Sequence, residues 1–125
     1  MEMYKSASVL VSMRITRTRN TRYFFPSKMM EYMASGVPVI STCTGHVEKE
    51  FGNFVYLLKE ETPQGLSRLI QQVAALDPEE RRQTGERARA YMAEHKTWAV
   101  QTEKLAEFIR GSVLHLRPCT SAKHP

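Results

Sequence analysis

The chain has 125 residues, enough for one modest domain with its own core. Hydrophobic residues at 42% and charged residues at 25% are ordinary for a soluble globular protein, and no apolar run approaches the roughly 18 residues that a spanning helix needs. The net charge of +5 suits anionic ligands such as phosphates, nucleic acid or acidic headgroups, and does not choose among them.

The start, Met1-Glu-Met-Tyr-Lys5, lacks the apolar core of a signal peptide, so a cytoplasmic chain is expected, at most peripheral to a membrane. The first strand signal is Val9-Leu10-Val11. The second is Val37-Pro38-Val39-Ile40, and the third is Phe54-Val55-Tyr56-Leu57-Leu58. Each run is short and continuously apolar, which predicts strands covered on both faces and therefore a parallel sheet. A helix from about Ser27 to Ser35 lies between the first two, making a βαβ crossover. Its apolar stripe is Met29, Met30, Met33 and Ala34, while Lys28, Glu31 and Ser35 fall on the other face.

The second half reads as helical. Thr62-Pro63 is an N-cap and first-turn pair, followed by an apolar face of Leu66, Leu69, Ile70 and Val73. Asp77-Pro78-Glu79-Glu80 has the capping-box pattern and predicts a helix to about His95 that buries Ala88, Tyr91 and Met92. Thr97 caps a last helix with Trp98, Leu105, Phe108 and Ile109 on one side, Trp98 being the expected core anchor. The tail, residues 112–125, has no periodicity and is expected to be poorly ordered. The fold class is therefore α/β: about three parallel strands, then a helical half. A three-stranded sheet keeps two open edges, so this is part of a doubly wound, Rossmann-like domain, with self-association through an edge as a consequence.

The chemistry concentrates in Phe25-Pro-Ser-Lys-Met-Met-Glu-Tyr-Met-Ala-Ser-Gly-Val-Pro-Val-Ile-Ser-Thr42. A helix start at Pro26, Ser27 and Lys28 offers unpaired amides and a partial positive charge to a phosphate. It follows a loop holding Arg14, Arg17, Arg19 and Arg22, which leaves the carboxyl end of the first strand, where open α/β sheets bind ligands. Glu31 lies one turn further on. It is either a ribose acceptor or a solvated glutamate paired with Lys28.

This segment, from Tyr23 to Thr42, resembles the donor-site motif of retaining GT-B glycosyltransferases, the large bacterial glycan-synthesis family of the glycosyl transferases group 1 type. Glu31-Tyr-Met-Ala-Ser-Gly-Val-Pro-Val-Ile40 is similar to the family's Glu-Ala-Met-Ala-Cys-Gly-Thr-Pro-Val-Val. Ser8-Val-Leu-Val-Ser-Met13 resembles its preceding strand, and Gly45-His-Val-Glu48 its Gly-x-x-Glu turn. Glu61-Thr-Pro-Gln-Gly-Leu66 resembles the start of its next helix and Gly85-Glu-Arg-Ala-Arg89 its late helix, and the likeness covers about residues 3–110.

The resemblance implies a C-terminal, donor-side portion of an enzyme that moves a sugar from a nucleotide-diphosphate sugar to a glycan or lipid-linked acceptor with retention. It implies that Glu31 binds the donor ribose and that Pro26, Ser27 and Lys28 hold the diphosphate. Arg19 and Arg22 are expected to attract phosphate from their place in the arginine loop, not from the resemblance. The resemblance implies no obligatory metal or cofactor. Tyr23 falls where the family has a sugar-binding glutamate, and Pro26 where it usually has glycine. The acceptor domain has no counterpart, so catalysis is expected to need a missing N-terminal domain or partner chain. The alternative is a non-catalytic α/β module that binds a nucleotide or pairs with a separate chain.

The remaining residues read plainly. His46 is an exposed loop histidine, and Glu48 is expected to cap a short helix before Phe51. His95, His115 and His124 lack metal-ligand spacing. Cys43 and Cys119 are expected as free thiols. Arg81, Arg82, Arg87 and Arg89 interleave with Glu79, Glu80 and Glu86 as a solvated salt-bridged face. No aromatic platform, zinc module or helix-turn-helix accompanies the arginines, so nucleic-acid binding is not expected.

Overall fold

The computed structural model describes residues 4, 6–17, 20–21, 23–24 and 26–112. Arg19, Arg22, Cys119 and the tail beyond Ser112 lie outside the described residues. The chain divides into two compact units, Met1–Ala93 and Glu94–Pro125.

The first unit holds a three-stranded parallel sheet in the order β1-β2-β3: β1 Leu10–Ser12, β2 Val39–Thr42 and β3 Tyr56–Leu58. Leu10 pairs with Val39 and Ile40 with Tyr56, which fixes the register. Every residue of the central strand β2 is buried, as a continuous apolar run requires. The strands start later than their apolar runs. Pro38 has no amide to give to the ladder, so β2 begins at Val39, although the Pro38 carbonyl still accepts from the Leu10 amide at 2.9 Å.

Successive residues of β2 feed opposite faces. Val39 joins Met29, Met33, Val47, Phe51, Val55, Ala88 and Met92 in one cluster. Ile40 joins Leu58 and Val73, with Leu66, Leu69 and Ile70 against them, in the other. The helices follow from this split. Helix α1 (Ser27–Ser35), α2 (Val47–Phe51) and α4 (Pro78–His95) supply the first cluster, and α3 (Pro63–Ala75) the second. Burying methionine side chains such as Met29 and Met33 is worth about 1.5–3 kcal/mol each.

Caps close the helices much as the sequence predicts. The Thr62 hydroxyl accepts from the Gly65 amide at 3.0 Å, and the Asp77 carboxylate accepts from the Glu79 amide at 2.8 Å. Helix α1 ends at Gly36, whose φ of +80° lies in the left-handed region that favours glycine and whose amide donates to the Met33 carbonyl at 3.2 Å.

Three expectations need correction. Ser35 is buried rather than solvated: its hydroxyl donates to the Tyr32 carbonyl at 2.6 Å and accepts from the Val37 amide at 3.3 Å, so the turn out of α1 consumes it. Glu48 does not cap α2. The capping position is His46, with no side-chain bond, and Glu48 sits in the first turn, where a carboxylate only complements the helix dipole. Trp98 is not a core anchor. It opens α5 (Trp98–Ser112), a helix that buries none of its residues, and it is 88% exposed. Apolar spacing marks a face that favours burial but does not name what buries it.

Candidate functional site

A cavity of about 520 Å³ opens beyond the carboxyl ends of β1 and β2. Its floor is the strand ends, Val11 and Ser12 from β1 and Ser41 and Thr42 from β2, continuing into Met13, Arg14 and Thr44. Its wall is the start of α1, with Pro26, Ser27, Lys28 and Tyr32, and Phe24 from the loop before it. Among the described residues, five hydroxyl side chains other than tyrosine, two cations and no carboxylate line this space. Such a set donates hydrogen bonds and attracts anions.

The helix start is open by construction. Its N-cap Pro26 makes no side-chain capping bond, and the first helical bonds run from the Met29 and Met30 amides to the Pro26 carbonyl at 3.0 and 3.3 Å. The Ser27 and Lys28 amides precede that ladder and face the end where the helix dipole is positive.

The loop after β1 carries Arg14 over the Phe24 ring, with the guanidinium carbon 3.6 Å from the ring centroid. A cation–π contact of this kind contributes about 0.5–1 kcal/mol at an exposed site. The Arg14 amide donates to the Thr42 hydroxyl at 3.0 Å, tying the loop to the end of β2. Two residues on, the Thr16 amide and hydroxyl donate to the two oxygens of Glu61 at 2.7 and 2.6 Å. Burial works to raise the Glu61 carboxyl. The bonds from Thr16, another from the Arg17 amide and the Arg17 charge outweigh it and hold the carboxyl below the usual carboxylate range.

Cys43, between Thr42 and Thr44, is a free, half-buried thiol. Burial pushes it up, Glu48 and Glu61 add to that, and Lys59 opposes them, so it stays protonated at neutral pH.

Residues 1–107 match the glycosyl transferase-like family. The chain belongs to that family. No curated protein matches the sequence. Among solved structures, this glycosyl transferase-like chain is similar to sucrose-phosphate synthase from Thermosynechococcus elongatus, with a TM-score of 0.67 and 23% identity. The match covers 87% of this chain and 26% of the synthase, so the chain spans about a quarter of that protein's length. At that identity the likeness speaks for the fold, which is that of GT-B glycosyltransferases.

Of the site residues named from the sequence, Pro26, Ser27 and Lys28 line the cavity together. Glu31 is exposed on α1, one turn beyond Ser27, and is not among the lining residues. Tyr23 is 84% exposed and also outside the lining. Arg14 belongs to the arginine loop expected at the ligand end of β1, whereas Phe24 and the hydroxyls of Ser41, Thr42 and Thr44 also line the cavity. The rule that ligands sit beyond the carboxyl ends of parallel strands points to Ser41-Thr-Cys-Thr44 directly. The Arg14–Phe24 stacking has no comparable signal. Among the described residues no three His, Cys, Asp or Glu side chains gather as a metal site, and no helix is long and apolar enough to cross a membrane.

Proposed function

We propose that the chain is the donor side of a glycosyltransferase and receives the diphosphate of a nucleotide-diphosphate sugar in the cavity at the start of α1. One observation carries this reading: an uncapped helix start, Arg14 and Lys28 converge on one cavity at the carboxyl ends of β1 and β2, with no carboxylate among the described residues that line it.

In this reading the Ser27 and Lys28 amides bind phosphate oxygens, and the Lys28 ammonium and Arg14 guanidinium offset the charge that develops on the leaving diphosphate. No metal is invoked for that work. Glu31, one turn along, accepts from the ribose hydroxyls at the cavity rim, and Tyr23 meets the sugar through its hydroxyl or ring. Transfer proceeds with retention to a glycan or lipid-linked acceptor bound by protein outside this chain. Both reactants must be held for transfer, so the chain alone is expected to bind nucleotide without turning over.

Calorimetric titration with UDP, GDP and ADP tests this. One of the three is expected to bind, with Lys28→Ala and Glu31→Ala each weakening it. Absence of binding for all three overturns the donor-side reading, and unchanged affinity in Glu31→Ala removes the ribose role alone.

A second reading, a non-catalytic module that pairs with a separate chain, is favoured by the exposed apolar side chains of α5. It predicts association without any nucleotide dependence.

A further inference from the structure

Of the two cations among the described lining residues, Arg14 is the one outside any helix or strand. It follows β1 by two residues, and its neighbours Met13 and Ile15 are 43% and 51% exposed, so neither is a buried apolar anchor for the loop. Polar bonds replace that anchor. One is the Arg14 amide to the Thr42 hydroxyl. The others converge on Glu61, which engages both of its oxygens with Thr16. Glu61 lies between β3 and α3 and is distant in sequence from the loop it holds. The adjacent Glu60 is committed elsewhere, to Arg68 and the Thr62 hydroxyl, so it does not duplicate this contact.

We propose that Glu61 is a positioning residue, whose carboxylate clamps the loop after β1 at Thr16 so that Arg14 stays stacked on Phe24 and aimed into the cavity. This rests on the diphosphate reading for what Arg14 receives. Glu61 itself is not among the residues lining the cavity, so it acts through Arg14. The sign of its effect separates positioning from plain electrostatics. A carboxylate near an anion site repels the anion, so charge alone predicts that Glu61→Ala tightens phosphate binding. Positioning predicts the reverse, because a loosened Arg14 must be ordered each time the ligand binds.

The test uses the purified chain in two arms. In the first, calorimetry follows UDP and inorganic pyrophosphate in the wild type, Glu61→Ala, Arg14→Ala and the double variant. Glu61→Ala is expected to weaken binding about tenfold in the wild-type background and less than about twofold beside Arg14→Ala, because the two act as one unit. In the second, hydrogen exchange of the Arg14 amide without ligand is expected to accelerate in Glu61→Ala. Thr16→Val, which removes only the hydroxyl, gives a smaller change of the same sign and stands in if Glu61→Ala does not fold. Equal or tighter binding in Glu61→Ala, an equal loss beside Arg14→Ala, or unaltered Arg14 exchange each overturns the proposal. A wild type that binds neither probe retires the diphosphate reading, and the exchange arm alone then decides whether Glu61 holds the loop.

Discussion

Gly85 stands where α4 crosses the turn that ends α1. A Cβ at this position would overlap the Gly36 carbonyl oxygen and crowd the Pro38 nitrogen, and these are backbone atoms that cannot swing aside. The contact fixes the distance between α4 and the Gly36–Pro38 turn, and through it the register of α1 against β2. Gly85→Ala is therefore expected to cost about 1–3 kcal/mol in denaturant unfolding, the usual range for overpacking. Gly36→Ala carries a different penalty, about 1–2 kcal/mol for a side chain at left-handed φ. The two positions touch, so the double variant is expected to lose less than the sum. Equal stability of Gly85→Ala and wild type in urea would show that α4 can move off the turn. Neither contact is visible in the sequence. Gly36 is legible there as a helix stop before a strand, but Gly85 looks like an unfavourable residue inside a helix, and only the crossing explains it.

At the scale of elements, α4 is the helix with the strongest surface charge pattern. Arg82 bridges Glu79 and Glu86 at 2.7 Å each, and hydrogen bonds from Arg82 and Gln83 hold the Glu79 carboxyl down at about 2. A carboxyl whose folded value is depressed adds stability at pH above its ordinary value of 4.5, and that stability is lost as pH falls toward about 2. The thermal midpoint is expected to drop between pH 5 and pH 2.5 by more in the wild type than in Glu79→Gln. Because the trio is exposed, 1 M salt should narrow that difference. A difference insensitive to salt would mean that the carboxylate is held by something other than its surface partners. This element was legible in advance, from Asp77-Pro78 as its start to the interleaved charges on its face, because both signals are local. The same locality explains what was missed. Ser35 looks solvent-facing by spacing, yet its hydroxyl is used inside the turn at Gly36 and Val37. The Glu61–Thr16 bonds join residues 45 positions apart, and no periodicity reports such a pair. The candidate site divides in the same way. The helix start at Pro26–Lys28 was legible from its composition, whereas the loop that brings Arg14 to it depends on bonds across the sheet.

On the scale of the whole molecule, two kinds of surface are left open to contact, a sheet edge and the face of α5. Its sheet has β1 and β3 as edges, and it spans about a quarter of the synthase whose fold it shares. On α5, Trp98, Leu105, Phe108 and Ile109 are exposed, with Trp98 at 88% and Phe108 at 64%. Exposed side chains of this size each forgo about 1.5–3 kcal/mol of burial, a strong drive toward contact with a second surface. The isolated chain is therefore expected to self-associate as its concentration rises, seen as a rising weight-average mass in sedimentation velocity. Two sources are available, a sheet edge and the α5 face, and substitutions separate them. Trp98→Ser with Phe108→Ser removes apolar surface without emptying any core position, because α5 buries none of its residues. If the helix face drives association, this variant stays monomeric and unfolds at an unchanged temperature. If the edges drive it, the variant associates as the wild type does. In that case Leu10→Lys on β1, a half-buried position outside both core clusters, is the change that blocks strand addition and restores the monomer. A wild type that remains monomeric across the whole concentration range would overturn both, and would mean that the exposed residues are tolerated as a solvated surface.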